Sequence, residues 1–188
     1  MKITIHQPNL MPWMPFFEKI AQADIFVILG QCDFEKNNFQ NRFKYRDQWN
    51  TLSVESARKK IVDKQYTNIQ HDWDKMKKRI DHRPLRIFDH CISNSVFQTN
   101  VGIIKLCCKL LKIDTHIVVD QPTTKTSTER LIEICQTHSC TTYLSGPSGR
   151  NYLDLDRFAF NGIEVEFFEA KNKTHTLDQP AIINIQTG

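Results

Sequence analysis

The stretch KITIHQPNLMPWMPFFEKIAQADIFVIL, residues 2–29, decides the fold class. Residues 2–5 alternate polar and apolar side chains, which predicts a β-strand, and the continuous apolar run at 24–29 predicts a second strand. Between them, residues 15–23 have apolar side chains at helical spacing after a loop that contains two prolines. Two strands joined by such a helix are expected to be parallel, and their apolar character favours a sheet covered on both faces.

The end of the chain continues this alternation of strands and helices. A helix is predicted after Thr126, whose spacing to Glu129 is typical of a capping box. We therefore predict an α/β fold with a mostly parallel sheet, helices on both faces, and a Rossmann-like or nucleotidyltransferase-like layout, in a single domain over residues 1–188. The remaining predicted elements are a buried helix at 100–111 and strands at 116–120, 141–144 and 162–168.

The middle of the chain interrupts the alternation. We interpret residues 31–98 as an inserted, basic and partly helical excursion from the sheet, with an amphipathic helix at 71–80 and further helix at 86–98. From Lys36 to Arg86 the chain has 14 Lys or Arg and 6 Asp or Glu, whereas the rest has 11 and 15. Such a patch attracts anionic partners, or is simply a solvated surface.

The composition is that of an ordinary globular protein, with 40% hydrophobic and 24% charged residues. The six cysteines include no CxxC pair and no histidine spacing typical of zinc. We therefore expect reduced thiols and no metal, and the sequence predicts no particular cofactor. No stretch approaches the roughly 18 apolar residues of a membrane span, so we expect no span and a cytoplasmic location.

Polar residues that directly follow predicted strands form the candidate site, because ligands of open α/β sheets bind at the carboxyl ends of strands. His6 could act as a general acid or base, or could brace the proline-containing loop. The turn Ser145–Arg150 could bind an anion through its amides and its guanidinium, or could be an ordinary loop. The segment Lys36–Arg46 interleaves cations with aromatic rings, which suits stacking on a base or sugar, but also suits a hairpin.

Three segments in order, residues 5–30, 34–45 and 141–169, resemble the WbqC-like family of bacterial proteins. The most specific is the signature HQPxxxPWxxFFxKI, which begins at His6. The resemblance implies a role in the biosynthesis of bacterial surface polysaccharides such as O-antigen. It also assigns recurrent family positions to His6, Gln7, Pro8, Trp13, Lys36, Asn41, Arg42, Ser145, Gly146, Gly149 and Tyr152, whereas Gly30, Asp33 and Phe43 depart from the family pattern.

These observations together predict a transferase that modifies a nucleotide-linked amino sugar by acyl or aminoacyl transfer. His6 would deprotonate the attacking amine, and Ser145 with the amides of its turn would stabilise the oxyanion. The expected partners are a nucleotide-linked sugar or another phosphorylated small molecule, and an acidic carrier protein. The predicted substrate-binding residues are Gln7, Trp13, Asp33, Lys36, Asn41, Arg42, Gly146, Gly149, Arg150 and Tyr152.

Two other classes of function remain open from the sequence. The first is a non-catalytic binding or accessory protein of the same pathway. The second is a nucleic-acid-binding protein, which rests on the basic segment alone and is the least expected. If the protein is the predicted transferase, a nucleotide-linked sugar should stabilise it against heat, and nucleic acid should not.

Overall fold

A parallel β-sheet forms the centre of the computed structural model, which describes residues 1–80, 83–170 and 180–181. Five strands belong to this sheet, and a separate antiparallel hairpin consists of β3 and β4. The strands are β1 (Lys2–His6), β2 (Ile25–Ile28), β3 (Arg42–Tyr45), β4 (Gln48–Thr51), β5 (His116–Val119), β6 (Thr142–Ser145) and β7 (Glu164–Phe167).

The order of strands across the sheet is β5-β2-β1-β6-β7, and every neighbouring pair is parallel. The chain moves outward from β1 to β5, then resumes on the other side of β1 and moves outward to β7. This is the Rossmann-like order, in which ligands bind where the direction reverses. The predicted α/β class with a parallel sheet is confirmed, and the switch point lies between β1 and β6.

In the part of the chain that the structure describes, five α-helices connect and cover the strands. Helix α3 begins at Val96, earlier than the predicted helix at 100–111, because the side chain of Ser95 caps it by accepting a hydrogen bond from the amide of Gln98 at 3.2 Å. The predicted helix at 86–98 is instead a 3₁₀ segment followed by the start of α3. The helices are α1 (Met14–Ile20), α2 (Ile69–Ile80), α3 (Val96–Leu110), α4 (Ser127–Thr137) and α5 (Leu155–Phe160), and 3₁₀ segments span Ile61–Asp63, Arg83–Cys91 and Pro147–Asn151.

The predicted capping box at the start of α4 is wrong. Thr126 does occupy the N-cap position, but its side chain makes no capping hydrogen bond. Ser127, the next residue, has a positive φ of 49°. A capping box needs helical backbone in the first turn, and the left-handed conformation of Ser127 interrupts it there.

Separate apolar clusters cover the two faces of the sheet. Phe26 and Ile28 face the first cluster, which includes residues of α1, α2 and α3. Ile25 and Val27 face the second, which includes residues of α4 and α5. This alternation along one strand is the reason for the helices on both faces. Over the described residues, no helix is long and apolar enough to cross a membrane.

Candidate functional site

A crevice opens where β1 and β6 stop pairing. Their ladder ends at Thr4 and Leu144, where the Thr4 hydroxyl donates a hydrogen bond to the Leu144 carbonyl at 2.8 Å. Beyond this point β1 stays paired with β2 as far as His6, and β6 stays paired with β7 as far as Ser145. The two central strands therefore separate at their carboxyl ends, at the switch point of the sheet.

A cavity of about 380 Å³ lies at this crevice, and we call it the switch-point pocket. It is lined by the end of β1, the start of α1, the turn after β6 and the residues after β7. Most of its wall is apolar or aromatic, with one imidazole and one amine. The lining includes His6, Trp13, Phe16, Lys19, Gly146, Pro147, Ser148 and Phe168.

His6 presents a neutral imidazole to this pocket. Its Nδ1 donates a hydrogen bond to the Gln7 carbonyl at 2.8 Å, so Nε2 is the acceptor nitrogen of the ring. No other residue that the structure describes bonds to Nε2. Burial, together with the positive charge of Lys19, lowers the pKa of His6 to about 3. The histidine therefore braces its loop through Nδ1, and Nε2 has no hydrogen-bond partner among the described residues.

Lys19 is a pocket residue that the sequence analysis missed. It is only 4% exposed, and its Nζ donates a long hydrogen bond of 3.4 Å to the Ile5 carbonyl. Burial lowers its pKa to about 8, so the ammonium form still dominates at neutral pH. The sequence could have indicated this residue, because Lys19 lies three residues after Phe16 and the two side chains therefore share one face of α1.

The turn after β6 contributes backbone and small side chains to the pocket. Gly146, Pro147 and Ser148 line it, but the Ser145 side chain is fully buried. The Ser145 hydroxyl donates to the Gly146 carbonyl at 3.2 Å and lies directly beneath Gly149. Ser145 is therefore placed beneath the turn rather than on the pocket wall.

Arg150 and Tyr152 lie at the outer end of the same turn. The Arg150 guanidinium stacks on the ring of Phe167 at 4.1 Å, and the Tyr152 side chain is 63% exposed. Neither residue is among the described residues that line the switch-point pocket. Both are accessible to a ligand group that extends over the rim.

Gln7 and Asp33 follow neighbouring strands but contact different surroundings. The Gln7 side-chain oxygen accepts a hydrogen bond from the Gln40 amide at 2.9 Å. Asp33 forms a backbone bridge with Lys60 and lines a second cleft of about 460 Å³ with basic residues, among them Arg58. Lys36 is exposed in the turn that precedes the hairpin.

Asn41 and Arg42 occupy the start of the β3–β4 hairpin. Asn41 is buried, and its amide donates to the Leu52 carbonyl at 2.9 Å, while its Oδ1 has no hydrogen-bond partner. Arg42 stacks on the Trp49 ring at 4.0 Å and donates to the Asn37 carbonyl. The hairpin alternative of the sequence analysis therefore describes this segment, with cations stacked on aromatic rings.

A row of rings connects the hairpin to the pocket. Trp13 on the pocket wall contacts Phe39 with 5.1 Å between ring centroids, and Phe39 contacts Trp49 at 5.4 Å. Arg42 stands at the far end of this row. The structure thus brings His6, Trp13 and Gly146 together at one pocket and keeps Arg42 outside it.

A buried carboxylate organises the neighbouring strand ends. Asp120, directly after β5, accepts hydrogen bonds from the amides of Gly30 at 2.7 Å and Gln31 at 3.2 Å, and pairs with Arg130. It thereby fixes the loop after β2. In the ranges 1–80, 83–170 and 180–181, no group of three or more His, Cys, Asp or Glu side chains is arranged to hold a metal ion.

The similarity to known proteins extends over most of the chain. A model of the WbqC-like protein family matches residues 7–180. An uncharacterised protein of Mycobacterium tuberculosis (strain H37Rv) is 26% identical over an alignment of 197 positions, and this alignment covers 89% of this chain and 82% of that protein. No solved structure matches the chain.

Proposed function

Because this chain belongs to the WbqC-like protein family, we propose that it is a transferase of bacterial surface-polysaccharide biosynthesis. Its acceptor in this proposal is an amino sugar carried on a nucleotide, and the group transferred is an acyl or aminoacyl group. The family resemblance supports the pathway, and the pocket supports the chemistry.

The neutral imidazole of His6 is the main support for a catalytic role. A general base must be unprotonated at the working pH and must face the proton that it removes. His6 lines the switch-point pocket, and its pKa of about 3 keeps the imidazole of the empty site unprotonated at neutral pH. A bound anionic ligand would stabilise the imidazolium form and so strengthen the base.

In the proposed reaction the amine nitrogen of the sugar attacks the carbonyl carbon of an acyl thioester on a carrier. The C–N bond forms and the amine proton passes to Nε2 of His6. The C–S bond then breaks, and His6 gives the proton to the leaving thiolate, which becomes the free thiol. The backbone amides of Gly146 and Ser148 are assigned to the oxyanion, since both residues line the pocket and Ser145 does not.

The walls of the pocket suit a sugar ring. Its volume of about 380 Å³ lies within the range of small-molecule sites, roughly 300–1,000 Å³. Trp13 and Phe16 offer aromatic surface for the apolar face of a sugar. On the hairpin, Lys36 and Arg42 are assigned to the phosphates or to acidic residues of the carrier, since both are cationic and lie outside the pocket.

Mass spectrometry of incubated mixtures tests this proposal. Wild-type protein is incubated with nucleotide-linked amino sugars and acyl thioesters, and the His6→Ala variant should form product roughly 10²- to 10⁴-fold more slowly. His71→Ala on the exposed side of α2 is the matched control and should behave as wild type.

The outcomes separate the three classes of function. Heat stabilisation by a nucleotide sugar without any product would favour the accessory protein. Stabilisation by nucleic acid alone would favour the nucleic-acid binder. Equal rates for wild type and His6→Ala would remove His6 from the mechanism.

A further inference from the structure

Lys19 is a buried cation without a counter-ion in the part of the chain that the structure describes. Its ammonium group carries three donors, and one of them meets the Ile5 carbonyl at the long distance of 3.4 Å. No ion pair with a carboxylate involves Lys19 among the described residues. Burying a charge in this way is unfavourable unless something compensates it.

A second buried lysine shows what a compensated site looks like in the same fold. Lys64 is 3% exposed, and its Nζ donates to the Ala57 carbonyl at 2.6 Å. It also stands over the Phe34 ring at 4.7 Å; burial lowers the pKa of Lys64, and the nearby charge of Glu55 opposes that shift. Lys19 has neither a short hydrogen bond nor such a carboxylate, although it is equally buried.

The surroundings of Lys19 belong to the switch-point pocket. Lys19 and His6 both line the pocket, and Trp13, Phe16 and Phe168 provide its apolar wall. The imidazole is neutral, so the pocket contains one positive charge in a mostly apolar lining. One negatively charged group on a ligand would balance that charge and supply acceptors for the ammonium donors.

We propose that Lys19 binds an oxyanion group, a carboxylate or a phosphate, on a ligand whose apolar part contacts the aromatic wall of the switch-point pocket. This inference rests on the pocket used in the proposed function, and it adds an anion-binding residue that the transferase proposal does not require. On this proposal Lys19 is a binding residue, and its buried charge destabilises the folded protein when no ligand is bound.

Two lysine variants and three small probes test the inference. The probes are benzoate, phenyl phosphate and the uncharged benzamide, which share one ring and differ in charge. Isothermal titration calorimetry measures their affinity for wild type, Lys19→Met and Lys64→Met, and thermal unfolding measures the Tm of each protein without a probe. Methionine keeps the length of the side chain and removes its charge.

At least one oxyanion probe should bind wild type, with benzamide at least tenfold weaker. Lys19→Met should lose at least tenfold in affinity for that probe, while its Tm stays equal to or rises above that of wild type. Lys64→Met should have a lower Tm and unchanged affinity when folded. A preference for benzoate identifies the group as a carboxylate, and a preference for phenyl phosphate identifies it as a phosphate.

The inference is wrong if neither oxyanion probe binds wild type, or if Lys19→Met binds as wild type does. It is also wrong if Lys19→Met lowers the Tm as much as Lys64→Met, because that result would make Lys19 a structural residue. His6→Asn separates this inference from the proposed function. If the His6→Asn variant still binds the probes, and neither wild type nor any variant forms a transferase product, only the transferase proposal fails.

Discussion

His6 couples the stability of the fold to pH. Its pKa is about 3 in the folded chain, below the ordinary 6.5 that applies when the chain is unfolded. As the pH falls, the unfolded chain therefore binds a proton before the folded chain does. The stabilisation is complete above about pH 6.5 and is lost progressively as the pH falls toward 3.

We expect this linkage to appear in urea unfolding. Between about pH 7.5 and pH 5, wild type should lose up to about 2 kcal/mol of unfolding free energy more than His6→Asn. His71→Asn, at an exposed position of α2, serves as the control and should follow wild type. If His6→Asn loses as much stability as wild type does, His6 is not the source of the pH dependence.

Gly149 and Gly146 give a matched pair of substitutions in one turn. A Cβ at Gly149 would collide with the Ser145 hydroxyl and meet Leu153 Cδ1 at 2.9 Å, whereas a Cβ at Gly146 meets nothing within 4 Å. Gly149→Ala should lower the unfolding free energy by about 1–3 kcal/mol, because the buried turn has no room for it. Gly146→Ala should change it by less than about 0.5 kcal/mol. Thermal and chemical unfolding measure the stability of both variants. An equal loss of unfolding free energy in the two would refute the packing explanation.

Among the elements, α3 holds together the two loops that shape the pocket region. The buried amide of Asn100 donates to the Pro8 carbonyl at 2.9 Å and to the Gln40 carbonyl at 2.7 Å. Its oxygen accepts a hydrogen bond from the Tyr66 hydroxyl at 3.4 Å. One side chain therefore links the loop after β1 to the residue before the hairpin.

Asn100→Leu should remove this link and leave two buried carbonyls without a donor. The expected loss of unfolding free energy is about 1–3 kcal/mol for this kind of change. The Leu10 amide, which bonds to the Phe39 carbonyl at 2.7 Å, should then exchange its hydrogen faster. Asn94→Leu, at an exposed position before α3, is the control. Unchanged exchange at Leu10 would mean that the loop is held by other contacts.

The strands were predictable because each is specified locally. The alternation at residues 2–5 and the apolar run at 24–29 correspond to β1 and β2. Because ligands of such sheets bind at the carboxyl ends of the strands, the sequence also predicted that His6 and the turn after β6 lie near one site. Lys19 and Asn100 were not predictable, since a lysine in a short helix and an asparagine in an apolar one become buried only through distant partners. Thr4 and Leu144, which close the β1–β6 ladder, are 140 residues apart.

Across the whole molecule, all six cysteines are free thiols in the structure. Burial raises the pKa of Cys108 to about 11 and that of Cys135 to about 12, so few of these thiols are reactive thiolates in the folded protein. Titration without reductant should find six thiols after denaturation. In the native protein the half-buried Cys32 and Cys91 should react first. A count of four or fewer would reveal a disulfide.

The inserted segment 31–98 and the sheet share one apolar cluster. Phe43 and Phe88 of the segment pack in the same cluster as Phe26 and Ile28 of β2. Both clusters meet at the sheet, because alternate residues of β2 enter one or the other. Unfolding of the inserted segment would therefore expose one face of the sheet and weaken the rest.

We accordingly expect residues 1–188 to unfold in a single cooperative transition. Tryptophan fluorescence reports on Trp13, Trp49 and Trp73, and far-ultraviolet circular dichroism reports on all helices, including α4 and α5 on the opposite face. The two signals should have coincident urea midpoints. Phe88→Ala, which removes a fully buried ring, should move both midpoints equally and lower stability by about 3–5 kcal/mol, and Phe160→Ala at a 91% exposed position should move neither. Two separate transitions, or a Phe88→Ala shift seen by fluorescence alone, would show that the inserted segment folds as a second unit.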